Sequence, residues 1–289
     1  MFSSKFLRFS SAKKAFGSKP LHNGFSRRFL HDEGDLVQVT EIDGVRRIRM
    51  VDNKTKNSMS LEMTAALDRN ITTGLHEISL RCIVISSSAS VFSSGHNLKE
   101  IANSEGRKVF YTFSDLMMNM IRCPVPIITV VDGLAAAAGC QLVAQSDIVI
   151  ASPNAKFCTP GARVGVFCNT PGIALARAVP RKLATYMLFT GNAIDANQAL
   201  RSGLVSIVAK EGELENEVNN VTNAIKSLSR VIVQHGKQFF YKQIDMTTEK
   251  AYNKGAKSMD IGLMFSDSTE GLKSFSEKRK PNWKHLHFD

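Results

Sequence analysis

The sequence lacks any uncharged apolar run long enough to cross a membrane. No such stretch reaches 18 residues, whereas a membrane-spanning helix needs about 20. Cysteines are few as well: there are five, without a C-x-x-C pair, which supports neither a disulfide framework nor a zinc site. What remains is ordinary globular composition, with 43% hydrophobic and 22% charged residues in 289. One large domain, or one domain with an appendage, is therefore expected.

Acidic residues are missing from positions 1–31, which carry seven of the 37 lysines and arginines. A basic, serine-containing, acid-free N-terminus is typical of mitochondrial import. Residues 1–31 are therefore predicted to be a transit peptide, cleaved near Arg27-Arg28-Phe29, and the mature chain is predicted to lie in the mitochondrial matrix. A solvated basic tail is the alternative. A secretory signal is not supported, because no apolar segment of even seven residues precedes Asp32.

The formal charge of +11 at pH 7 suggests an anionic partner at first sight. Without the seven basic residues of positions 1–31, the chain has 30 basic and 26 acidic residues, a net charge of only +4. A basic RNA-binding module is thus only the third hypothesis, since no RNP, KH or zinc-knuckle pattern accompanies the charge. We expect no specific nucleic-acid partner and no metal.

Hydrophobic periodicity predicts an α/β core over residues 32–210. Asp43-Gly44 is a hairpin signal between two strand-like segments. Short apolar runs such as Cys82–Ser86 and Pro126–Val131 predict buried strands, and they alternate with helical patterns such as Glu105–Arg122. Strands that alternate with helices indicate an α/β fold whose sheet faces are covered.

The remaining residues, 211–289, are predicted to form a helical region. Gly255, Gly262 and Gly271 are expected to separate shorter helices there. The tail histidines, His285 and His287, are interpreted as part of a solvated end.

The first candidate site is the segment FSSGHNLKE at 92–100, which follows the predicted strand Cys82–Ser86. Its small residues and glycine let a ligand approach the backbone closely. Free N–H groups at such a turn can face an anion or a polarised carbonyl. An ordinary loop between a strand and a helix is the alternative.

The second candidate site is the segment DGLAAAAGCQ at 132–141, which leads into a predicted helix, Ala138–Gln145. A first turn made of alanine and glycine has no side chain to cap its free N–H groups. Together with the helix dipole, these donors can stabilise developing negative charge. Close helix packing is the alternative explanation for the small residues.

Four collinear segments resemble the enoyl-CoA hydratase/isomerase (crotonase) superfamily: FSSGHNLKE, VDGLAAAAGCQLVAQSDIVIAS, FTGNAIDANQALRSGLV and EGLKSFSEKRKPNW. The resemblance runs from about Val37 to Trp283. It implies a crotonase-like spiral of ββα units and a C-terminal helical region that assembles homotrimers or dimers of trimers. It also implies a coenzyme A thioester as ligand or substrate, without a separate cofactor.

The resemblance further implies an oxyanion hole, in which two backbone N–H groups polarise the thioester carbonyl. Those positions fall on His96 and Ala138, and each such donor typically contributes about 3–4 kcal/mol to transition-state stabilisation. Lys56 is a candidate contact for the phosphate or adenine of coenzyme A, with a solvated loop charge as the alternative. The expected substrate-binding residues are Lys56, Ser94, His96, Asn97, Leu98, Lys99 and Ala138.

The chain departs from the family at the two glutamates that hydratases use, because Gln141 and Gly161 occupy those positions. Each general acid–base group contributes on the order of 10²–10⁴-fold, and neither replacement can exchange a proton near pH 7. The leading hypothesis is a protein of fatty-acid metabolism that binds acyl-CoA or enoyl-CoA, with little or no hydratase activity.

The alternative is an active superfamily enzyme: a thioester hydrolase, a decarboxylase or a residual hydratase. Such an enzyme would combine the oxyanion hole with a group other than glutamate. The imidazole of His96 is one candidate, although a bystander role is favoured for it. Cys168 has no evident histidine partner and is interpreted as a core residue.

Overall fold

The computed structural model describes residues 28–31, 36–88, 90–103 and 106–286. The first 27 residues of the predicted transit peptide lie outside this part, as does His287. Within it, no helix is long and apolar enough to cross a bilayer. The described residues also contain no group of three or more His, Cys, Asp or Glu side chains placed to hold a metal ion.

Seven strands form the larger sheet. In chain order they are β1 Arg28–His31, β2 Val37–Ile42, β3 Val45–Met50, β4 Cys82–Ser87, β6 Ile127–Val131, β8 Ile148–Ala151 and β11 Ile207–Val208. The first three strands are antiparallel, and β3, β4, β6, β8 and β11 follow one another in parallel. The hairpin predicted at Asp43-Gly44 is confirmed: both residues have positive φ, 50° and 75°, as a two-residue turn of this kind requires.

Four short strands form a second sheet: β5 Val91–Ser93, β7 Leu134–Ala136, β9 Lys156–Cys158 and β10 Ile194–Asp195. Its order is β10-β9-β7-β5, in which β5, β7 and β9 are parallel. The chain passes from the large sheet to the small one three times, at β4–β5, β6–β7 and β8–β9, and helices follow each pair. These repeats are the ββα units expected from the resemblance.

Eleven α-helices occur in the described residues. They are α1 Leu61–Thr72, α2 Leu98–Ala102, α3 Gly106–Arg122, α4 Ala138–Gln145, α5 Asn169–Ala178, α6 Arg181–Thr190, α7 Ala196–Ser202, α8 Leu214–Lys226, α9 Arg230–Gln243, α10 Thr248–Leu263 and α11 Ser266–Ser276. A short 3₁₀ turn, Pro160–Val164, precedes α5. The predicted helix at 138–145 is confirmed.

The expectation that three glycines separate short C-terminal helices is wrong. Gly255 and Gly262 lie inside α10, and Gly271 lies inside α11. A Cβ on Gly255 would lie 3.4 Å from the Phe239 ring, and one on Gly271 would lie 3.1 Å from the Trp283 ring. None of the three glycines ends a helix, and of the three only Gly271 lies where an added Cβ would be closer than an ordinary van der Waals contact.

Helices cover both faces of the large sheet, as the apolar strand sequences predict. One face packs against α1 and α3, with Ile48 and Ile85 of the sheet in the same buried cluster as Leu67 and Phe113. The other face packs against α8 through Val84, Ile128, Ile150, Val218 and Ile225.

An anchor made of Lys237, Asp147 and Tyr241 joins α9 to the α/β core. The Lys237 ammonium is buried and donates to Asp147 Oδ2 at 2.6 Å and to two backbone carbonyls at 3.1 and 3.2 Å. The Tyr241 hydroxyl donates to Asp147 Oδ1 at 2.7 Å, and the Ile127 N–H donates to Asp147 Oδ2 at 2.7 Å. Burial and the neighbouring Asp147 raise the pKa of Tyr241, which therefore stays a hydrogen-bond donor.

The C-terminal tail is docked against the molecule, so the interpretation of His285 as a solvated end is wrong. The backbone N–H groups of Lys284 and His285 donate to the buried Asp267 at 2.8 and 3.0 Å. The Arg230 N–H donates to His285 Nδ1 at 3.2 Å. Partial burial, together with the positive charge of Arg81, lowers the pKa of His285.

Candidate functional site

The candidate site lies at one edge of the small sheet. Because β5, β7 and β9 are parallel, their carboxyl ends meet there, and ligands of α/β proteins commonly bind at such an edge. Segments 94–97, 137–141 and 159–161 leave the sheet at this edge. The two segments singled out in the sequence and the position of Gly161 are therefore neighbours in the fold. We refer to this region as the carboxyl edge.

Gly95 brings the first two segments into contact. Its φ is +92°, and a Cβ there would lie 2.8 Å from Ala137 Cβ and 3.4 Å from Ala138 N. An L side chain would meet both the strained φ and the clash, so this position requires glycine. The contact places His96, the next residue, beside Ala138.

The N–H groups of His96 and Ala138 both remain available at this contact. Met59 N donates to Gly95 O at 2.8 Å and Asn97 N donates to Met59 O at 3.5 Å, which forms a parallel bridge around His96. In such a bridge the N–H of the central residue points to the opposite side. Ala138 begins α4, where the first N–H groups have no intrahelical acceptor. Within the described residues, neither N–H has a protein acceptor.

Ala137 holds an unusual backbone conformation at the start of α4, with φ +47° and ψ −111°. Strain of this kind costs about 1–3 kcal/mol and is concentrated at functional sites. Two hydrogen bonds of 2.9 Å hold it in place, from Ala137 N to Cys158 O and from Gln141 N to Ala137 O. The direction of the Ala138 N–H thus depends on a locally unfavourable conformation.

The His96 side chain packs against α3. Its ring lies edge-on to Phe110 and Phe113, with centroid distances of 5.5 and 4.9 Å. Nδ1 lies 3.4 Å from Met59 O, whereas Nε2 is buried and has no hydrogen-bond partner in the described part of the chain. Burial lowers the pKa of His96, so the imidazole is neutral at pH 7. A proton on Nδ1, directed at Met59 O, leaves a lone pair on Nε2.

The expected coenzyme A residues form one exposed surface next to the carboxyl edge. Ser94 N donates to Lys56 O at 3.0 Å and Ser94 Oγ donates to Thr55 O at 3.1 Å, so Lys56 lies beside Ser94. Leu98 and Lys99 are exposed at the start of α2. The Asn97 side chain caps α2 by accepting from Lys99 N at 3.1 Å, which gives it a structural task as well.

Gln141 lies one turn after Ala138 on the same face of α4. Its side chain is 4% exposed, and its Oε1 atom is buried without a hydrogen-bond partner in the described residues. An amide in this position can donate or accept a hydrogen bond but cannot transfer a proton near pH 7.

Gly161 is enclosed by its own loop. A Cβ there would lie 2.1 Å from Val166 O and 2.7 Å from Cys168 Sγ, so no side chain fits. Gly161 N donates to Cys168 Sγ at 3.3 Å. Burial raises the pKa of Cys168, which makes the thiol a poor nucleophile and agrees with its interpretation as a core residue.

Three residues near the carboxyl edge were not anticipated from the sequence: Phe110, Phe113 and Thr159. Thr159 follows β9 directly and is fully buried, and its Oγ1 has no partner among the described residues. Because Ala136 pairs with Cys158, Thr159 lies next to Ala137. The available signal was a polar residue at the end of an apolar strand, immediately before Pro160-Gly161.

Comparison with known proteins identifies the family. The sequence profile described as "Enoyl-CoA hydratase/isomerase" matches residues 40–286. The chain belongs to the enoyl-CoA hydratase/isomerase family. Membership confirms the resemblance, and with it the crotonase-like α/β fold with a C-terminal helical region.

Two relatives and two solved structures describe the similarity further. Human mitochondrial enoyl-CoA hydratase domain-containing protein 3 is 47% identical over 249 residues, which cover 85% of this chain and 82% of the relative. The rat protein of the same name is 43% identical over 293 residues, covering 94% and 98%. The crystal structure of the human protein has a TM-score of 0.84 at 46% identity, covering 86% of this chain and all of that one. The crystal structure of a Mycobacterium smegmatis enoyl-CoA hydratase has a TM-score of 0.80 at 35% identity, covering 89% of this chain and 98% of that one.

Proposed function

We propose that this chain binds fatty acyl-CoA and enoyl-CoA thioesters in fatty-acid metabolism, with little or no hydratase activity. One observation carries the proposal. Gly95 packs against Ala137 and Ala138, so His96 and Ala138 are neighbours at the carboxyl edge, and neither N–H has an acceptor in the described residues. Gln141 and Gly161 occupy the two positions that, by the resemblance, correspond to the hydratase glutamates.

The chemistry of the edge favours binding over hydration. A thioester carbonyl oxygen accepts from both N–H groups, which are fixed and need no reorganisation. Hydration also requires a group that takes a proton from water and a group that returns one to the acyl chain. The amide of Gln141 does neither, and Gly161 has no side chain.

The same proposal includes a mitochondrial matrix location and a homotrimer or dimer of trimers. Its basis for location is the acid-free N-terminus together with relatives whose names include "mitochondrial". Its basis for assembly is the apolar surface of α10 and α11 and a neighbouring cavity of about 960 Å³ between α9 and α10. Exposed apolar patches of this kind mark interfaces. Tyr252, Met259, Leu263, Leu272 and Phe275 are 58–86% exposed.

A calorimetric titration tests the binding proposal with butanoyl-CoA, crotonyl-CoA, free coenzyme A and S-butyl-CoA, a thioether without the carbonyl. We expect the thioesters to bind at least about tenfold more tightly than the thioether, because only they offer an acceptor to the two N–H groups. Absence of affinity for every coenzyme A compound would overturn the proposal. Equal affinity for thioester and thioether would exclude the carbonyl contact.

A hydration assay tests the second half of the proposal. With crotonyl-CoA, we expect wild-type turnover near background and a measurable gain for Gln141→Glu, because one carboxylate is restored beside Ala138. Gln145→Glu, on the same helix and half-buried, is the matched control and is expected to gain nothing. Wild-type hydration at the rate of an ordinary hydratase would contradict the proposal.

A thioester hydrolase is the second candidate, and the buried, unpaired Nε2 of His96 favours it. In that reaction Nε2 takes a proton from water, the hydroxide adds to the carbonyl carbon, and the C–S bond breaks with return of the proton to the coenzyme A thiolate. Release of free thiol from butanoyl-CoA measures it. Loss of thiol release in His96→Gln, with binding retained, would support this candidate, and no release by the wild type would exclude it.

A further inference from the structure

The C-terminal tail, defined as residues 283–286, is attached through one buried carboxylate. Asp267, in the first turn of α11, is 1% exposed and accepts from the N–H groups of Lys284 and His285 at 2.8 and 3.0 Å. The Ser229 hydroxyl donates to the same carboxylate at 2.5 Å. Asp267 therefore connects the tail to the residue that caps α9.

The His285 imidazole lies between two further donors. The Arg230 backbone N–H lies 3.2 Å from Nδ1, and Arg81 Nη1 lies 2.8 Å from Nε2. An amide N–H and a guanidinium can only donate, whereas a neutral imidazole has one nitrogen that accepts. Neutral His285 therefore pairs with one of the two donors. Protonated His285 has an N–H on both nitrogens and can accept from neither.

The charges that face His285 act in the same direction. Arg81, just before β4, and Arg230 of α9 are cations whose side chains are nine-tenths buried, and Lys284 is a cation of the tail itself. The opposing charge is Asp267 of α11, whose Oδ2 lies 3.9 Å from Nδ1 and already has two donors. Partial burial and the charge of Arg81 accordingly lower the pKa of His285.

We propose that the tail is a pH-sensitive latch: neutral His285 keeps it docked on α9 and α11, and protonated His285 releases it. Its release separates the first turn of α11 from the cap of α9, so the attachment of the C-terminal helices depends on pH. The latch is independent of the proposed function.

The direction of the pH dependence follows from linkage. In a released tail the pKa of His285 returns to the ordinary value near 6.5, which is higher than in the docked tail. The released state therefore binds more protons, and docking weakens as the pH falls below about 6.5. The docking equilibrium constant decreases by up to about tenfold for each unit between the two pKa values.

The fluorescence of Trp283 tests the latch on the full chain, because this residue is the sole tryptophan and lies in the tail. In the docked tail its Nε1–H donates to Ser227 O at 2.8 Å, and its ring lies against Gly271. Between pH 8 and 5.5 we expect the wild-type emission to shift to longer wavelength and acrylamide to quench it more strongly. Unchanged emission and quenching over this range would overturn the proposal.

Two neutral variants separate charge from shape at position 285. The amide of His285→Asn can accept near the place of Nδ1, and that of His285→Gln near the place of Nε2. Both are expected to keep the docked emission from pH 8 to 5.5, whereas His285→Lys, which is always charged, is expected to be released at pH 8. A wild-type shift in either neutral variant, a docked His285→Lys, or release of both neutral variants at pH 8 would overturn the latch.

The matched control is His235→Gln. His235 is a second histidine near α11, with its ring edge-on to Phe265 at a centroid distance of 5.2 Å. This variant is expected to keep the wild-type shift in Trp283 emission. Loss of the shift in His235→Gln would assign the pH dependence to His235 and overturn the role of His285.

Discussion

The anchor of α9 and the carboxyl edge of the small sheet both bury polar groups, but they treat them in opposite ways. At the anchor, Lys237 has three acceptors and Asp147 has three donors. At the edge, His96, Gln141 and Thr159 each keep an unpaired atom, beside an alanine in a strained conformation. The anchor therefore stabilises the fold, whereas the edge keeps buried groups unpaired at a cost in stability, as the proposed binding function would require.

The largest expected effect is at the anchor. Asp147→Ala leaves the buried Lys237 ammonium without its counter-charge, so we expect the free energy of unfolding to fall by about 3–5 kcal/mol. Urea denaturation measures it. Lys226→Met is the control, because it removes an ion pair of the same length, 2.6 Å to Asp43, whose partners are more exposed. That variant is expected to lose less than about 1 kcal/mol. Similar losses of unfolding free energy in both variants would contradict the expectation that the buried ion pair contributes more to stability than the exposed one.

A second pair of variants removes one polar atom from each region. Tyr241→Phe deprives Asp147 of a donor, and we expect a loss of about 1.5–3 kcal/mol. Gln141→Met removes an unpaired acceptor and is expected to raise the unliganded protein's free energy of unfolding by about 1 kcal/mol. Denaturation curves recorded without ligand measure the change in the free energy of unfolding of each variant. A destabilised Gln141→Met would mean that Gln141 is already paired in the free protein.

Gly161 tests how tightly the edge is packed. Gly161→Ala places a methyl group against Val166 O and Cys168 Sγ, so we expect a loss of about 1–3 kcal/mol. Gly236→Ala, inside α9 with no atom within 4 Å of its added Cβ, is expected to gain about 0.5–1 kcal/mol from helix propensity. Urea denaturation compares them. Equal stability of both variants would show that the loop at 161–168 moves to accommodate the added methyl group without a loss of stability.

The smallest expected effect is a pH dependence at the edge. Burial lowers the folded-state pKa of His96 below its unfolded value near 6.5. The unfolded chain therefore binds more protons, and stability from this group falls as pH drops below about 6.5. Between pH 7.5 and 5.5, His96→Gln is expected to lose less stability than the wild type. An equal loss of stability in the two proteins would exclude a contribution of His96 to the pH dependence of stability.

Local sequence features predicted much of this molecule. Apolar runs predicted β4 and β6, and the helix predicted at Ala138–Gln145 is α4. The FSSGHNLKE and DGLAAAAGCQ segments, each selected as a candidate site, contain the two residues of the contact between Gly95 and Ala137. These features depend on neighbouring residues in the chain, which is why sequence patterns report them.

Features that depend on distant residues were not predictable in the same way. The strands β5, β7 and β9 have three residues each, too few for a periodic signal. Lys237 and Asp147 are 90 residues apart in the chain. Gly271 of α11 lies against the ring of Trp283 in the C-terminal tail, a contact that no local pattern contains. The sequence shows only that position 161 has no side chain. The structure is needed to show that Val166 and Cys168 pack against it.

The enclosure of Gly161 has an evolutionary consequence. A carboxylate at this position needs more than a codon change, because Val166 and Cys168 occupy the volume that its Cβ would take. The route to a two-carboxylate site passes either through a poorly folded intermediate or through prior remodelling of the loop at 161–168. Gln141→Glu keeps the size of the side chain, so it meets no steric obstacle of this kind. Gln141 can therefore be replaced by glutamate without a change in the backbone around it, whereas Gly161 can be replaced only if the loop at 161–168 also changes.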